Sequence, residues 1–247
     1  MKVSIITVVY NNKNTIKDTI ESVLNQIYKN IEYIIVDGAS TDGTVEVIKS
    51  YGDKIDKFIS EPDNGIYDAM NKGLKLATGE VVGILNSDDV YADNKVIETV
   101  ANTFQKCDCN ATYGDLVYVD KEDLDEVVRY WKSKSFEKGS FQKGWHPAHP
   151  TFFVKKEIYD RYGLFNLDFK IAADYELMLR FMERYNISTH YIPEVLVKMR
   201  VGGESNRSIK NILKANIECY KAWQLNDLKI SPFIVAKKPF LKLFQYL

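Results

Sequence analysis

The sequence predicts an α/β protein with a doubly wound, mostly parallel central sheet flanked by helices. In residues 1–93, short apolar runs typical of buried strands alternate with segments whose apolar residues recur at helical spacing. Strands that alternate with helices in this way form parallel sheets with right-handed crossovers. The polar loops that follow the strands therefore meet at one edge of the sheet, where such proteins bind ligands.

The first half of the chain supplies the parallel part of this sheet. Apolar, β-branched runs predict its strands at residues 3–9, 31–36, 54–60 and 81–85. Apolar residues at helical spacing predict the intervening helices, which begin near Ile16, Val45 and Ile66.

The pattern changes after about residue 93, where hairpin and helix signals replace the regular alternation. The predicted elements are, in order, a helix at 95–105, a hairpin of strands at 111–119 and 127–131, a loop at 136–149, a strand at 151–154, helices at 155–162 and 172–185, and a strand at 187–192. We expect one domain over residues 1–200, in halves 1–93 and 94–200, followed by a C-terminal extension at 201–247.

Composition narrows the class of protein. A chain of 247 residues with 45% hydrophobic content can bury a large core, and a net charge of −1 argues against a nucleic-acid-binding protein. Met1 and Lys2 lead directly into a strand rather than a signal-peptide pattern, and no apolar run approaches the roughly 20 residues of a membrane-spanning helix. We expect a cytoplasmic protein whose cysteines, Cys107, Cys109 and Cys219, are reduced thiols.

Acidic and polar residues follow the predicted parallel strands. The topology brings the following residues to one edge of the sheet: Tyr10, Asn11, Asp37, Ser40, Asp63 and Asn86–Asp89. Two adjacent carboxylates, Asp88 and Asp89, repel each other at a strand end unless a cation such as Mg²⁺ or Mn²⁺ is bound. The alternative interpretation is an ordinary turn with both aspartate side chains solvated.

Asp37, at the end of the second predicted strand, occupies the place where nucleotide-binding sheets put a carboxylate on a base or ribose. The alternative is an Asx-turn or helix cap, for which Asp42 is better placed. The chain contains neither G-x-G-x-x-G after its first strand nor G-x-x-x-x-G-K-[ST] anywhere. A bound nucleoside diphosphate would therefore need a metal ion to offset its charge.

Six segments that together cover most of residues 3–200 share the motifs of one family; they are Ser4–Asn11, Glu32–Thr44, Asp63–Gly73, Asn86–Asp89, His149–Phe153 and Ala173–Leu177. In this order they resemble family-2 glycosyltransferases with the GT-A nucleotide-sugar fold. The resemblance implies an inverting transferase that uses a nucleoside-diphosphate sugar and Mg²⁺ or Mn²⁺. It makes 1–93 the nucleotide-sugar-binding half and 94–200 the acceptor half.

The resemblance also implies roles for individual residues. It places donor binding on Thr7, Val9, Tyr10, Asn11, Asp37, Ser40, Asp63, Asn71, Asn86, Ser87 and Asp88. The metal motif falls on Asp88 and Asp89, and Asn86 replaces the first aspartate of the commoner D-x-D-D pattern. Asp174 is the expected catalytic base, although Ala173 replaces the usual preceding glutamate. Without the resemblance, Asp174 reads equally as a helix cap.

Other polar and aromatic residues have two interpretations each. His149 lies near the diphosphate or acceptor, or it is structural. Asn71 and Lys72 contact the donor, or they belong to a solvated helix face. Tyr67 and Trp145 stack on a sugar, or they are buried in the core.

The C-terminal extension is basic, and residues 233–247 interleave lysines with aromatic and aliphatic residues. This composition favours a peripheral contact with the inner face of the plasma membrane, and the alternative is a helix packed on the domain. The expected function is transfer of a hexosyl or N-acetylhexosaminyl group, from a UDP-linked donor to a saccharide or lipid-linked acceptor, in bacterial surface-polysaccharide biosynthesis. The rivals are a sugar-1-phosphate nucleotidyltransferase and a non-catalytic nucleotide-sugar-binding module.

Overall fold

A computed structural model describes residues 1–202 and 209–229 of the chain. Its strands are β1 (Val3–Val9), β2 (Ile31–Asp37), β3 (Lys57–Ser60), β4 (Val81–Asn86), β5 (Asp89–Tyr91), β6 (Ala111–Val119), β7 (Val127–Trp131), β8 (Phe153–Lys155) and β9 (Thr189–Arg200). Its α-helices are α1 (Ile16–Leu24), α2 (Thr44–Lys49), α3 (Ile66–Leu76), α4 (Val96–Lys106), α5 (Lys156–Tyr162), α6 (Ala173–Leu179) and α7 (Ile209–Leu225).

The strands form one mixed sheet in the order β3-β2-β1-β4-β8-β6-β9-β5, with β7 paired to β6. The first four strands of this order are parallel, as the alternation of strands and helices predicted. The second half of the sheet is mixed, because β8 runs antiparallel to both β4 and β6 while β9 runs parallel to β6. The predicted hairpin of β6 and β7 is confirmed. The mostly parallel arrangement therefore holds for the first half only.

Helices cover both faces of the sheet, and β1 illustrates how its residues divide between them. Ile6 and Val8 face a core cluster that includes residues of α3, α6 and α7. Val3, Ile5 and Val9 face the opposite cluster, which includes residues of α1 and α4. This alternation follows from the two-residue period of a strand, and full burial on both faces explains why β1 is apolar throughout.

The structure corrects the expectation that all three cysteines are reduced thiols. Cys107 and Cys109 form a disulfide in the loop that follows α4, where the turn brings their Cα atoms to 5.3 Å. Cys219 lies buried in α7 and takes no part in that bond. Spacing in the sequence does not reveal this pairing, because it depends on how the loop bends.

The described part of the C-terminal extension is packed on the domain. Ala222 and Trp223 of α7 are buried in the core, and Nε1 of Trp223 donates a hydrogen bond to the Tyr175 hydroxyl at 2.9 Å. The segment predicted to contact a membrane, 233–247, lies outside the described residues. Across 1–202 and 209–229, the helices are too short or too polar to cross a bilayer.

Candidate active site

The carboxyl ends of β1, β2 and β4 meet at one rim of the sheet. In the strand register, Asp37 lies beside Val9 and Asn86 lies beside Val8, so the loops that follow these strands are neighbours. The backbone N–H of Asn11 donates to Oγ of Ser40 at 2.7 Å, and the Thr41 N–H donates to Oδ1 of Asn11 at 2.8 Å. The predicted convergence of these loops is confirmed.

Asp37 has one satisfied and one unsatisfied carboxylate oxygen. Oδ2 accepts hydrogen bonds from the Ser40 N–H at 3.0 Å and from the Ser60 hydroxyl at 2.6 Å. Oδ1 is buried and finds no hydrogen-bond partner within residues 1–202 and 209–229. Leaving a buried acceptor unpaired is costly, so this oxygen is suited to accept a hydrogen bond from a ligand.

Gly38 lets two side chains approach the backbone next to Asp37. A Cβ atom at position 38 would lie 2.5 Å from Oδ2 of Asp63 and 3.3 Å from Cδ2 of Tyr10. The side chain of Tyr10 is 65% exposed, and it therefore presents an aromatic ring at the rim. A planar ring beside a carboxylate is a suitable surface for a nucleobase.

Helix α1 and the loop that precedes it fasten the acidic turn between β4 and β5. Nδ2 of Asn12 donates to Oγ of Ser87 at 2.9 Å, and Oγ1 of Thr15 donates to the Ser87 carbonyl at 2.9 Å. Oγ1 of Thr19 donates to the Asp89 carbonyl at 2.8 Å. These bonds hold the backbone of residues 87–89 against the first turns of α1.

The two carboxylates of this turn have different environments. Asp89 is fully buried, and its Oδ2 accepts a hydrogen bond from Nδ2 of Asn86 at 3.0 Å. Burial raises the pKa of Asp89 well above its usual value, and the charge of Asp88 adds to the shift. Asp88 keeps part of its surface exposed; burial raises its pKa too, and the charge of Arg200 opposes that effect. Asp88 is thus the carboxylate that a ligand can reach.

Arg200, at the end of β9, supports the same turn. Its Nη1 donates to the carbonyl of Asp88 at 2.8 Å, and its Nη2 pairs with Oδ2 of Asp18 at 2.5 Å. Arg200 is 112 positions from Asp88, and nothing in the local pattern around residue 200 indicates this contact.

The turn fits a hard divalent cation that is held jointly with a ligand. Among the described residues, no group of three or more His, Cys, Asp or Glu side chains is placed to hold a metal ion by itself. Mg²⁺ commonly binds through one or two carboxylates and completes its shell with water and substrate phosphates. Oδ1 of Asn86 and Oδ1 of Asp89 are buried and unpaired within that same part of the chain. Asp88 is therefore the more accessible carboxylate of the turn, and metal ligation by Asp88 and Asp89 stays a prediction.

Asp174 is the second residue of α6 and lies in the first turn of this helix. Its Oδ1 accepts a hydrogen bond from the Tyr67 hydroxyl at 3.1 Å. The residue that caps α6 by position is Ala172, so the interpretation of Asp174 as a helix cap is not supported. Tyr67 is buried and contacts this carboxylate, which decides between its two interpretations.

His149 is buried beside Asp174. Its ring packs edge-on against Phe165, with the centroids 5.5 Å apart. Burial lowers the pKa of His149, and the negative charge of Asp174 opposes that shift. A neutral imidazole thus lies in the electrostatic environment of the candidate base.

Some residues expected at the donor site have side chains that are engaged inside the protein. Oγ1 of Thr7 is within 3.1 Å of the Tyr33 hydroxyl in the core, and Val9 packs in the apolar cluster under α1. Both amide atoms of Asn71 are hydrogen-bonded to the backbone of Phe165, each at 2.9 Å. The Asn71 side chain is therefore buried rather than solvated, and its amide faces Phe165 instead of the sugar donor. Lys72 pairs with Glu61 at 2.8 Å. Helical and strand periodicity does not reveal such partners.

The fold is that of the GT-A nucleotide-sugar-dependent glycosyltransferases. S. aureus TarS, solved in complex with UDP, superposes with a TM-score of 0.69 at 18% identity, over 97% of this chain and 71% of TarS. The mannosyltransferase PcManGT from Pyrobaculum calidifontis, solved with GDP-Man and Mn²⁺, gives 0.66 at 20% identity, over 99% of this chain and 69% of the neighbour.

Residues 4–163 match glycosyl transferase family 2, and the chain belongs to this family. An uncharacterized glycosyltransferase of Rickettsia typhi is 35% identical over 210 residues, which are 81% of this chain and 64% of the relative. The putative glycosyltransferase EpsE of Bacillus subtilis is 28% identical over 98% of this chain and 89% of its own length. The chain therefore spans less than two thirds of the Rickettsia relative.

Proposed function

We propose that this chain is an inverting, metal-dependent glycosyltransferase that moves a hexosyl or N-acetylhexosaminyl group from a UDP-linked sugar to an acceptor hydroxyl. The main support for the proposal is the position of two carboxylates at the rim of the sheet. A buried, unpaired carboxylate oxygen of Asp37 lies at the end of β2, and an accessible carboxylate of Asp88 lies in the turn after β4, with only β1 between these two strands of the sheet. The first suits a nucleobase or ribose, and the second suits a metal-bound diphosphate.

The donor nucleotide lies across the loops after β1 and β2. Tyr10 stacks on the base, and Oδ1 of Asp37 accepts a hydrogen bond from the imide N–H of uracil. Asn11 and Ser40, which are hydrogen-bonded to each other, form the wall of this site, and Asp63 lies next to the ribose. The UDP and UDP-GlcNAc complexes of TarS, a protein of similar fold, support the choice of uridine.

The acidic turn holds Mg²⁺ or Mn²⁺ through Asp88. An ion held there would supply the positive charge that stabilises the departing diphosphate. Asn86, Ser87 and Asp89 keep the turn in shape, because Asn86 donates a hydrogen bond to Asp89 and Asn12, in the loop before α1, donates one to Ser87. The Mn²⁺ and GDP-Man complex of the neighbouring mannosyltransferase supports a divalent ion in this fold.

Asp174 acts as the general base. It removes the proton from the acceptor hydroxyl while that oxygen forms a bond to the anomeric carbon. The bond between the anomeric carbon and the diphosphate oxygen breaks in the same displacement, and UDP leaves with the bonding electrons. One displacement inverts the anomeric configuration. His149, neutral and close to Asp174, is placed to contact the diphosphate or the acceptor.

The acceptor is a saccharide or lipid-linked saccharide of a bacterial surface polysaccharide, and it binds in the half formed by residues 94–200. Three partly buried rings of this half, Trp131, Trp145 and His146, provide surfaces on which a sugar can pack. A capsule, exopolysaccharide or lipopolysaccharide precursor at the inner face of the plasma membrane fits this description.

A donor screen tests the proposal. UDP release is measured with a panel of UDP-linked and GDP-linked sugars, with and without Mn²⁺, in the presence of lipid-pyrophosphate-linked acceptors. We expect Mn²⁺-dependent UDP release and a product of inverted anomeric configuration by NMR. Pyrophosphate release from a nucleoside triphosphate and a sugar 1-phosphate would indicate a nucleotidyltransferase instead. Tight binding of nucleotide sugars without turnover would indicate a binding module.

A further inference from the structure

The hydroxyl group of Tyr67 lies between two hydrogen-bond acceptors. It is 3.1 Å from Oδ1 of Asp174 and 2.8 Å from the carbonyl oxygen of Ile171. The hydroxyl has a single proton to donate and lone pairs with which to accept. It therefore cannot satisfy both acceptors fully while Asp174 is ionised.

Protonation of Asp174 removes this competition. An ionised carboxylate takes the Tyr67 proton as a charge-assisted hydrogen bond. Once the outer oxygen of Asp174 carries the acceptor proton, the neutral carboxyl group attracts the Tyr67 proton less strongly, and that proton can turn to the Ile171 carbonyl. A rotation of one hydroxyl thus lets Tyr67 donate to the stronger of its two hydrogen-bond acceptors in each protonation state.

We propose that Tyr67 is a positioning residue that orients Asp174 before and after the base takes up the acceptor proton. This inference rests on the proposed function, because it assigns a role to Tyr67 only if Asp174 is the base. Tyr67 does not exchange its own proton with the substrate. Its part is to keep one carboxylate oxygen fixed so that the other faces the acceptor.

The Tyr67 phenol is suited to this part because it stays protonated. Burial and the nearby charge of Asp174 raise the pKa of Tyr67 well above its ordinary value. The ring is also fixed, since it stacks on Phe165 with the centroids 5.6 Å apart. A rigid ring with a rotating hydroxyl leaves the position of the oxygen unchanged while its proton moves.

Helix α7 fixes the second hydrogen-bond acceptor of Tyr67, which is the carbonyl oxygen of Ile171. The carboxylate of Glu218 accepts hydrogen bonds from the backbone N–H groups of Lys170 at 3.1 Å, Ile171 at 2.9 Å and Ala172 at 2.9 Å. These residues form the turn that leads into α6. Glu218 is buried, and its bonds hold the Ile171 peptide in front of the Tyr67 hydroxyl.

The titratable groups that face Tyr67 and Asp174 come from several elements. His149 faces Asp174 from the short turn before β8, and Glu218 faces Tyr67 from α7. His149 is neutral at pH 7 because burial disfavours its charged form, so its own titration lies on the acidic side of neutrality. Substitution of Tyr67 changes neither of these groups, which makes its effect on a pH profile interpretable.

The test compares Tyr67→Phe with a matched control. Tyr113→Phe also removes a buried tyrosine hydroxyl that donates to a backbone carbonyl, that of Lys134 at 2.8 Å, without touching a carboxylate. We expect Tyr67→Phe to lower kcat by about 10- to 100-fold, the value of a hydrogen bond to a charged group. The acidic limb of its kcat/KM profile should move to higher pH by about one unit. Tyr113→Phe should move neither, and the Kd for UDP should be unchanged in both variants.

A second substitution keeps the test decisive if Tyr67→Phe folds poorly. Incorporation of 3-fluorotyrosine at position 67 preserves both hydrogen bonds and makes the hydroxyl a stronger donor, so the acidic limb should move to lower pH. An unchanged limb in both variants of an active enzyme overturns the positioning role and leaves the proposed function in place. If the wild-type chain releases no UDP from any donor, the proposed function fails, and the role of Tyr67 fails with it.

Discussion

The side-chain amide of Asn86 donates a hydrogen bond to Oδ2 of Asp89 at 3.0 Å. The adjacent carboxylates of Asp88 and Asp89 therefore have different environments. Asp89 is held inside the protein by Asn86, while Asp88 retains exposed surface at the rim. Asparagine at position 86, which departs from the D-x-D-D pattern, thus supplies a donor that an aspartate would lack. The acidic turn contains one candidate ligand and one supporting residue.

The difference in exposure between Asp88 and Asp89 predicts that substitutions of these two residues change the Mn²⁺ dependence of activity to different extents. Asp88→Asn should lower kcat by about 10²-fold or more and raise the Mn²⁺ concentration for half-maximal activity, because the ion loses its accessible carboxylate. Asp89→Asn preserves the shape of the buried group and should leave the Mn²⁺ midpoint close to that of the wild type. Activity titrated with Mn²⁺ measures both. Equal displacement of the midpoint in the two variants would show that Asp89 also ligates the ion.

Replacement of Asp37 should weaken nucleotide binding specifically. In Asp37→Asn, the remaining oxygen stays with the Ser40 N–H and the Ser60 hydroxyl, so an amide nitrogen replaces the unpaired acceptor. We expect the Kd for UDP to rise by about 10-fold or more by calorimetry. The control is Asp56→Asn, whose carboxylate accepts the Tyr33 N–H away from the rim. A UDP affinity unchanged by Asp37→Asn would remove Asp37 from the nucleotide site.

The candidate base should affect turnover and not donor binding. Asp174→Asn should reduce kcat by about 10²- to 10⁴-fold, the usual contribution of a general base. The Tyr67 hydroxyl can still donate to the amide oxygen of the asparagine, so the fold and the Kd for UDP should persist. Circular dichroism and UDP calorimetry check those two expectations. Wild-type kcat in this variant would assign the base to another residue.

The C-terminal helix should be required for catalysis because Glu218 holds the turn before α6. Glu218→Gln keeps one acceptor oxygen but loses the charge-assisted hydrogen bonds to that turn, and we expect kcat to fall by about 10-fold. Glu183→Gln is the matched control, since the buried Glu183 carboxylate accepts the N–H groups of Gly139 and Phe141 in a different loop. Equal losses of kcat in both variants would indicate a general effect on folding.

Stability should depend on Glu32 in a pH-dependent way. Burial by itself would raise the pKa of Glu32, but hydrogen bonds from Ser4, Thr78 and Lys57 outweigh it and lower the pKa below its usual range. A lowered native pKa stabilises the fold above the unfolded pKa of about 4.3, and that contribution is lost as the pH falls toward the native value. Glu32→Gln should therefore cost about 3 kcal/mol near pH 7 in urea unfolding. The difference from wild type should shrink below about pH 4, and a constant difference from pH 3 to 7 would contradict this linkage.

Much of the fold follows from local sequence patterns. The apolar runs of β1, β2 and β4 and the polar residues that end them predict a parallel sheet with a ligand-binding rim, and the structure places Asp37 and Asn86 there. The mixed second half of the sheet was not predicted, because the order of β8, β6 and β9 depends on pairing between distant strands. The same limit applies to Thr7 and Asn71, whose polar groups are used by partners in the core.

The sequence by itself determined the fold class, the family and the acidic and polar residues available for chemistry, since these depend on residue type and short-range periodicity. Tertiary structure decided which of those groups a ligand can reach. The exposure of Asp88, the burial of Asp89 and the contact of Tyr67 with Asp174, 107 positions away, all arise from packing between segments that are distant in the chain. Such contacts depend on the final positions of helices α1, α3 and α7 against the sheet, which no local pattern specifies.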